Sequence, residues 1–305
     1  MTHPEAHTQY VHTHSHAHVV PDHSRAFAVG VALNVLYIIV EVVAGVVANS
    51  TALFADAGHN LSDVVGLLLA WGAAFAAKTP STSRRTYGLR KATILAALLN
   101  AIILLVAAGG IVVEAVRKIA HPDHVGGGMM MIVAGIGVVI NGATALLFVK
   151  GKERDINIKG AFLHMAADAG VSVGVVLSGL LITLTGWDVI DPLIGLVIVV
   201  IITAGTWGLL RDSFHLSMDA VPSTILLDDV RSYLRGLPGV SEVHHLHVWA
   251  MSTTEIALTV HLVMPLDRYA SDSAFLPGVC RELHDRFGIE HPTIQIEAGG
   301  QCEMC

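Results

Sequence analysis

Six long apolar segments, separated by short polar stretches, dominate the chain between residues 26 and 213. They lie near 26–48, 52–77, 92–118, 125–149, 160–185 and 189–210. Three of them include uninterrupted runs without Asp, Glu, Lys, Arg or His, at 92–113, 125–149 and 192–210. About 20 consecutive apolar residues are enough for a helix to cross the hydrocarbon core of a bilayer. The pattern therefore predicts six transmembrane helices.

The pattern changes after residue 213 to the mixed polar and apolar spacing of a water-soluble domain. A helix is predicted after Pro222, followed by two strands at 243–251 and 255–264 that form a hairpin. A second helix to about residue 287 and a strand at 293–297 complete the order α-β-β-α-β. That order predicts a small α+β domain, a compact open-faced sandwich.

The N-terminal residues carry another signal, because seven of the eighteen histidines fall within residues 1–25. This composition predicts a mobile, metal-attracting tail. The chain is thus divided into a disordered tail at 1–25, a membrane domain at 26–213, a soluble α+β domain at 214–298 and a short C-terminal tail at 299–305.

Composition agrees with a membrane protein: 53% of the 305 residues are hydrophobic and only 14% are charged, against roughly a quarter in soluble domains. The formal net charge of −7 and the lack of a basic stripe exclude nucleic acid as a partner. Lys and Arg concentrate in the 78–91 and 150–159 loops. By the positive-inside rule these loops and both termini are cytoplasmic, and the short loops favour a bacterial inner membrane.

Ionisable residues inside two predicted spans are the main functional clue. The second span contains His59 and Asp63, and the fifth contains His164 and Asp168. Each Asp follows its His by four residues, so a helix of 3.6 residues per turn places both side chains on one face. Two such faces turned toward each other would supply two imidazoles and two carboxylates, a ligand set suited to tetrahedral zinc.

Hydrogen bonds or charge pairs that hold the helices together are the alternative interpretation of these four residues. A charged residue at the centre of a span costs roughly 2.5–3.5 kcal/mol on insertion scales, and either role could justify that cost. The same spacing on two separate spans favours the metal site. Asp56 lies on the same face as Asp63, and it either lines an access path or pairs with a polar neighbour.

These motifs resemble those of the cation diffusion facilitators. Residues 52–63 (ALFADAGHNLSD) resemble the second-span signature of that family, and His164 with Asp168 resembles its fifth-span pair. The likeness covers essentially everything after residue 25 and includes Tyr87-Gly88, Asn100, Trp187 to Pro192, Met218 to Pro222, His244 to Trp249 and Thr293 to Glu297.

The resemblance implies a homodimeric metal–proton antiporter with a cytoplasmic, metallochaperone-like (ferredoxin-like) α+β domain. It implies transport ligands at His59, Asp63, His164 and Asp168. Family members with His at the first of these positions are typically zinc carriers, whereas those with Asp more often accept cadmium, iron or manganese. The chain departs from some relatives because its 78–91 loop has no His, Asp or Glu for an additional zinc site.

A second histidine cluster lies in the soluble domain, where the first predicted strand contains His244, His245 and His247. The resemblance implies a structural or regulatory zinc site at His244, His261 and Glu297; a solvated His-rich strand is the alternative. Three cysteines, Cys280, Cys302 and Cys305, would be reduced in the cytoplasm, which favours metal ligation over disulfides.

The last residues of the chain form a Cys-x-x-Cys motif, Cys302 to Cys305. Similar eukaryotic relatives use such a pair together with N-terminal residues of a neighbouring subunit. His247 is a further candidate ligand in this set. A single Cys-x-x-Cys is a weak signal, so an unused tail is the alternative.

Three other classes of protein compete with a zinc–proton antiporter. An enzyme such as a membrane metalloprotease would need a motif like His-Glu-x-x-His, which the chain lacks. A passive divalent-metal channel would need no proton-labile site, and a sensor or buffer would not need six spans. Cd²⁺, Co²⁺ or Ni²⁺ as the main substrate also remains open, because selectivity depends on site rigidity and on contacts to the ligands.

Overall fold

The computed structural model describes residues 24–149, 156–265 and 273–298. Its N-terminal part is a bundle of six helices: α1 (Ser24–Ala48), α2 (Thr51–Ala77), α3 (Ala92–Ala120), α4 (Gly127–Phe148), α5 (Ile156–Thr185) and α6 (Ile190–Ser217). Helices α2 to α6 are long and apolar enough to cross a membrane, and α1 contains a shorter apolar stretch, Asn34–Ala48. Large apolar side chains such as Trp71, Phe75 and Val106 point outward, as a lipid environment requires.

The helices form two unequal packing groups. Helix α4 packs most extensively against α5, while α2 packs mainly against α3, α1 and α6. Glycines permit the close α4–α5 crossing, because a Cβ on Gly179 would lie 2.7 Å from the backbone oxygen of Gly127. Small residues at such crossings are typical of membrane helices, where close packing replaces the hydrophobic effect.

The N-terminus of α2 is held by a residue of α6. Ser50 caps the helix by accepting a hydrogen bond from the backbone N–H of Leu53. The fully buried carboxylate of Asp191 accepts hydrogen bonds from the Ser50 hydroxyl and from the backbone N–H groups of Thr51 and Ala52. A carboxylate is favoured here because the first N–H groups of a helix lack partners and carry partial positive charge.

The C-terminal domain contains α7 (Leu227–Arg235), β1 (Glu242–Ala250), β2 (Ile256–Val263), α8 (Phe275–Phe287) and β3 (His291–Glu297). The strand order is β1-β2-β3, with β1 antiparallel and β3 parallel to β2. Alternate strand residues such as Leu258, Val260 and Leu262 form a core with both helices. The predicted α-β-β-α-β fold is confirmed, although α7 begins at Leu227 because Pro222 opens a turn instead.

The 78–91 loop and the C-terminal domain lie at the same end of the bundle. Arg90 forms a 2.6 Å ion pair with Glu255 in the β1–β2 turn and donates a hydrogen bond to Nε2 of His291. The backbone N–H of Thr253 donates to the hydroxyl of Thr93 at the start of α3. The basic loop is therefore a direct contact surface for the C-terminal domain.

Candidate metal centres

The two predicted His–Asp pairs meet in the membrane domain, one from α2 and one from α5. Nε2 of His59 lies 3.1 Å from Oδ1 of Asp168, and Nε2 of His164 lies 3.3 Å from Oδ2 of Asp63. Within each helix the corresponding distances are 3.9 Å and 3.7 Å. The donor atoms of His59, Asp63 and Asp168 all lie within 4.8 Å of one another. His164 adjoins this group through the carboxylates of Asp63 and Asp168, so the four side chains lie next to one another.

Exposure differs between the two ends of this site. The side chains of Asp63 and His164 are 37% and 46% exposed, whereas those of His59 and Asp168 are 20% and 3% exposed. Helix α2 runs toward the C-terminal domain and α5 runs away from it, so the two more exposed ligands are those nearer to that domain.

A buried polar network lies beside the site. Asp56 and Glu41 are both fully buried; Asp56 accepts a hydrogen bond from Ser172 of α5, and Glu41 accepts one from Asn60 of α2. Asp56 thus pairs with a polar neighbour, which was one of its two predicted roles. Ser172 was not predicted, although its position four residues after Asp168 placed it on the same helix face.

The second cluster forms on the exposed face of the C-terminal sheet. Cross-strand pairing sets His244 opposite His261, and Glu297 follows on the adjacent strand. Oε2 of Glu297 lies 3.1 Å from Nε2 of His244, and Oε1 lies 2.7 Å from Nδ1 of His261. The donor atoms of all three residues lie within 4.8 Å of one another, and two imidazole nitrogens with a carboxylate oxygen are ligands that zinc accepts, so this set fits a metal ion.

The electrostatics of the cluster agree with this fit. Desolvation alone would raise the pKa of Glu297, but the attraction of His244 and its hydrogen bonds with both histidines lower that pKa below the usual value. Gln295 donates a hydrogen bond to Oε1 of Glu297 at 3.0 Å and orients it. Gln295 was not predicted, although alternation along the strand places it on the same face as Glu297.

The remaining predicted ligands are distributed differently. Cys302, Cys305 and the histidines of the N-terminal tail lie outside the described residues. His247 is described, and its ring centroid lies 6.3 Å from that of His245. The structure therefore brings His59, Asp63, His164 and Asp168 together in the membrane domain. It brings His244, His261 and Glu297 together at a separate place in the C-terminal domain.

Comparison with known families assigns both parts of the chain. Residues 27–216 match the family described as the cation efflux transmembrane domain, and residues 222–299 match the cation efflux protein, cytoplasmic domain. The chain belongs to the cation diffusion facilitator family. It is therefore a multi-pass membrane transporter that exports metal cations.

Individual relatives of this transporter support the same assignment. The chain is 35% identical to the metal cation efflux system protein CzcD of Cupriavidus metallidurans over 95% of this chain and 91% of that one. It is 35% identical to the zinc transporter ZitB of Escherichia coli over 94% and 91%. It is 30% identical to the cadmium, cobalt and zinc/H(+)-K(+) antiporter of Bacillus velezensis over 93% and 91%.

Proposed function

We propose that this transporter exports Zn²⁺ from the cytoplasm in exchange for protons, and that His59, Asp63, His164 and Asp168 form its transport site. The observation that carries the proposal is the meeting of the α2 and α5 pairs at 3.1 Å and 3.3 Å. Two imidazole nitrogens and two carboxylate oxygens match the donor set and coordination number that zinc prefers. The name of ZitB as a zinc transporter supports the choice of metal.

Proton exchange follows from the chemistry of these ligands. Each imidazole nitrogen faces a carboxylate oxygen of the other helix at hydrogen-bond distance, so a proton on the ring stabilises the metal-free arrangement. Zinc needs the same nitrogen lone pairs and deprotonated carboxylates. Metal and protons therefore compete for one set of atoms, and histidine makes this exchange possible near neutral pH.

Alternating access would use the two packing groups of the bundle. Helix α5 packs mainly on α4, whereas α2 packs on α1, α3 and α6, and α2 and α5 touch each other only locally. Rocking of the α4–α5 pair against the other helices would expose the site first to the cytoplasm and then to the outside. The ligands of α2 and α5 would stay together while the access path changes.

The C-terminal domain would be cytoplasmic, together with both termini, in a bacterial inner membrane. A zinc ion at His244, His261 and Glu297 would have a structural or regulatory role, and the histidines of residues 1–25 would raise the local metal concentration. The family assignment of residues 222–299, which bears the name ZT_dimer, supports a homodimer. Cys302, Cys305 and His247 are proposed as a further ligand set in that dimer.

Two alternatives make different predictions. A passive channel would carry zinc down its gradient without regard to the pH difference across the membrane. A transporter adapted to Cd²⁺, Co²⁺ or Ni²⁺ would carry those ions faster than zinc, and the name of the Bacillus velezensis antiporter keeps cadmium and cobalt under consideration. Flux measurements distinguish each of these alternatives from a zinc–proton antiporter.

The decisive experiment measures metal uptake into proteoliposomes with an imposed pH gradient, for the parent chain and for Asp168→Asn. We expect gradient-driven Zn²⁺ flux in the parent and its loss in Asp168→Asn, because the buried carboxylate no longer binds metal. Asp212→Asn is the matched control, since Asp212 is an exposed residue of α6 away from the site. Equal flux in Asp168→Asn would reject the transport site, and flux that ignores pH would indicate a channel.

A further inference from the structure

Strand β1 contains a bulge at the second metal cluster. The register jumps from the His244–His261 pair to the His247–Thr259 pair, so two residues of β1 oppose one residue of β2. Val243 and Val248 are both buried in the core although five positions separate them. Regular alternation would put them on opposite faces, and the bulge restores them to the same face.

His245 occupies the extra position of this bulge with φ at +49°. Glycine and asparagine adopt this left-handed region more readily than other residues, and a non-glycine residue there carries a strain cost. The core requires a bulge but does not require histidine at this position. Glycine, asparagine and histidine all occur in this region, so the backbone alone does not determine that an imidazole stands here.

The three nearest imidazoles of the cluster form an equilateral arrangement. The ring centroids of His244, His245 and His261 are each 5.1 Å from the other two. Two imidazoles that bind one tetrahedral zinc through Zn–N bonds of about 2.05 Å have their centroids roughly 5 Å apart. The spacing of all three rings thus matches a single ion.

We infer that His245 is the fourth protein ligand of the C-terminal zinc site, which then has the set His244, His245, His261 and Glu297. This inference rests on the zinc site proposed above and completes it. The donor atoms of His244, His261 and Glu297 already lie within 4.8 Å of one another, and rotation of the exposed His245 ring supplies the fourth bond. Four protein ligands make a closed site without a bound water, as in structural zinc sites.

The test uses the full chain in nanodiscs with Asp168→Ala, which removes zinc binding at the transport site. Zn²⁺ affinity is measured by competition with a chromophoric chelator for His245→Asn, for His244→Asn and for the control His284→Asn. The thermal unfolding midpoint of each variant is measured in EDTA. Zinc that binds to the N-terminal tail contributes equally to the titrations of all variants. This contribution is measured in a His244→Asn/Glu297→Gln double variant and subtracted from each titration.

We expect His245→Asn to weaken zinc binding by about tenfold or more while the midpoint in EDTA stays equal or rises, because asparagine fits the left-handed backbone better. His284→Asn, the same substitution at an exposed histidine of α8, should bind zinc like the parent. In the Co²⁺-loaded protein, His245→Asn should also shift the visible bands of the tetrahedral site, because a water replaces one imidazole as ligand.

The possible results distinguish a failure of the inference that His245 is a ligand from a failure of the proposed C-terminal zinc site. If His244→Asn loses zinc binding and His245→Asn keeps parental affinity and the parental spectrum, His245 is not a ligand and the inference fails. If His244→Asn also binds zinc like the parent, the proposed C-terminal site itself is wrong. Weaker binding in His245→Asn together with a lower midpoint in EDTA would assign His245 a structural role and overturn the inference.

Discussion

Ser50 donates its hydroxyl hydrogen to the carboxylate of Asp191, and 2.5 Å separates Oγ from Oδ1. This contact ties the start of α2 to the first turn of α6 at a fully buried point. His59 and Asp63 lie about two and a half and three and a half turns farther along α2. The position of these two proposed transport ligands along the membrane normal therefore depends on this anchor.

Asp191→Asn should weaken the anchor, because the amide NH₂ group would face backbone N–H donors of Thr51 or Ala52. We expect a loss of about 1–3 kcal/mol in the free energy of unfolding, the usual cost of unpaired buried polar groups. Thermal unfolding in detergent measures the effect. Asp212→Asn serves as the control, and the role of the anchor is rejected if both variants unfold at the same temperature.

Gly179→Ala should disturb the α4–α5 crossing. The new Cβ would lie 2.7 Å from the backbone oxygen of Gly127 and 3.0 Å from Cγ of Met131, and the backbone cannot yield as a side chain would. We expect a destabilisation of about 1–3 kcal/mol, measured as a lower unfolding midpoint. Gly174→Ala in the same helix meets no atom within 4 Å and should change the midpoint little.

His59→Asp should shift metal preference from zinc toward Mn²⁺, because one imidazole nitrogen is replaced by a carboxylate oxygen. Oxygen-rich sites suit manganese, whereas imidazole suits zinc. The measurement is the ratio of Zn²⁺ to Mn²⁺ flux in proteoliposomes, which we expect to fall about tenfold or more by the same reasoning. Asp168→Asn should transport neither metal, and an unchanged ratio in His59→Asp would mean that His59 does not bind the ion.

Arg90→Gln should loosen the C-terminal domain from the membrane domain. Arg90 contacts both Glu255 and His291, and glutamine is too short and uncharged to keep both contacts. Hydrogen exchange should become faster at the amide of Thr253 and its neighbours, which pack on the start of α3. Arg211→Gln, which loses a contact with the adjacent Asp212, should leave exchange in the turn unchanged.

Zinc should stabilise the C-terminal domain through the His244–His261–Glu297 site. A ligand that binds only the folded state at 100 times its Kd adds about 2.7 kcal/mol. Added Zn²⁺ should raise the unfolding midpoint of the Asp168→Ala chain, and EDTA should reverse the increase. In Glu297→Gln the increase should shrink strongly; an equal increase in this variant would place the stabilising ion elsewhere.

Local spacing was sufficient to predict the helical membrane bundle and the order of elements in the C-terminal domain. Apolar runs of about 20 residues and strict alternation at 256–264 are properties of neighbouring positions. The four-residue spacing of His59 with Asp63 and of His164 with Asp168 also placed each pair on one helix face. These features need no knowledge of how the elements pack.

The tertiary structure decided what depends on contacts between distant segments. The spacing within each pair could not show that His59 lies opposite Asp168 and His164 opposite Asp63, because the relative rotation of α2 and α5 arises from packing. The pairing of Asp191 with the start of α2 joins residues about 140 positions apart. The bulge at His245 appears only when β1 is aligned with β2, because the core must hold Val243 and Val248 on one face.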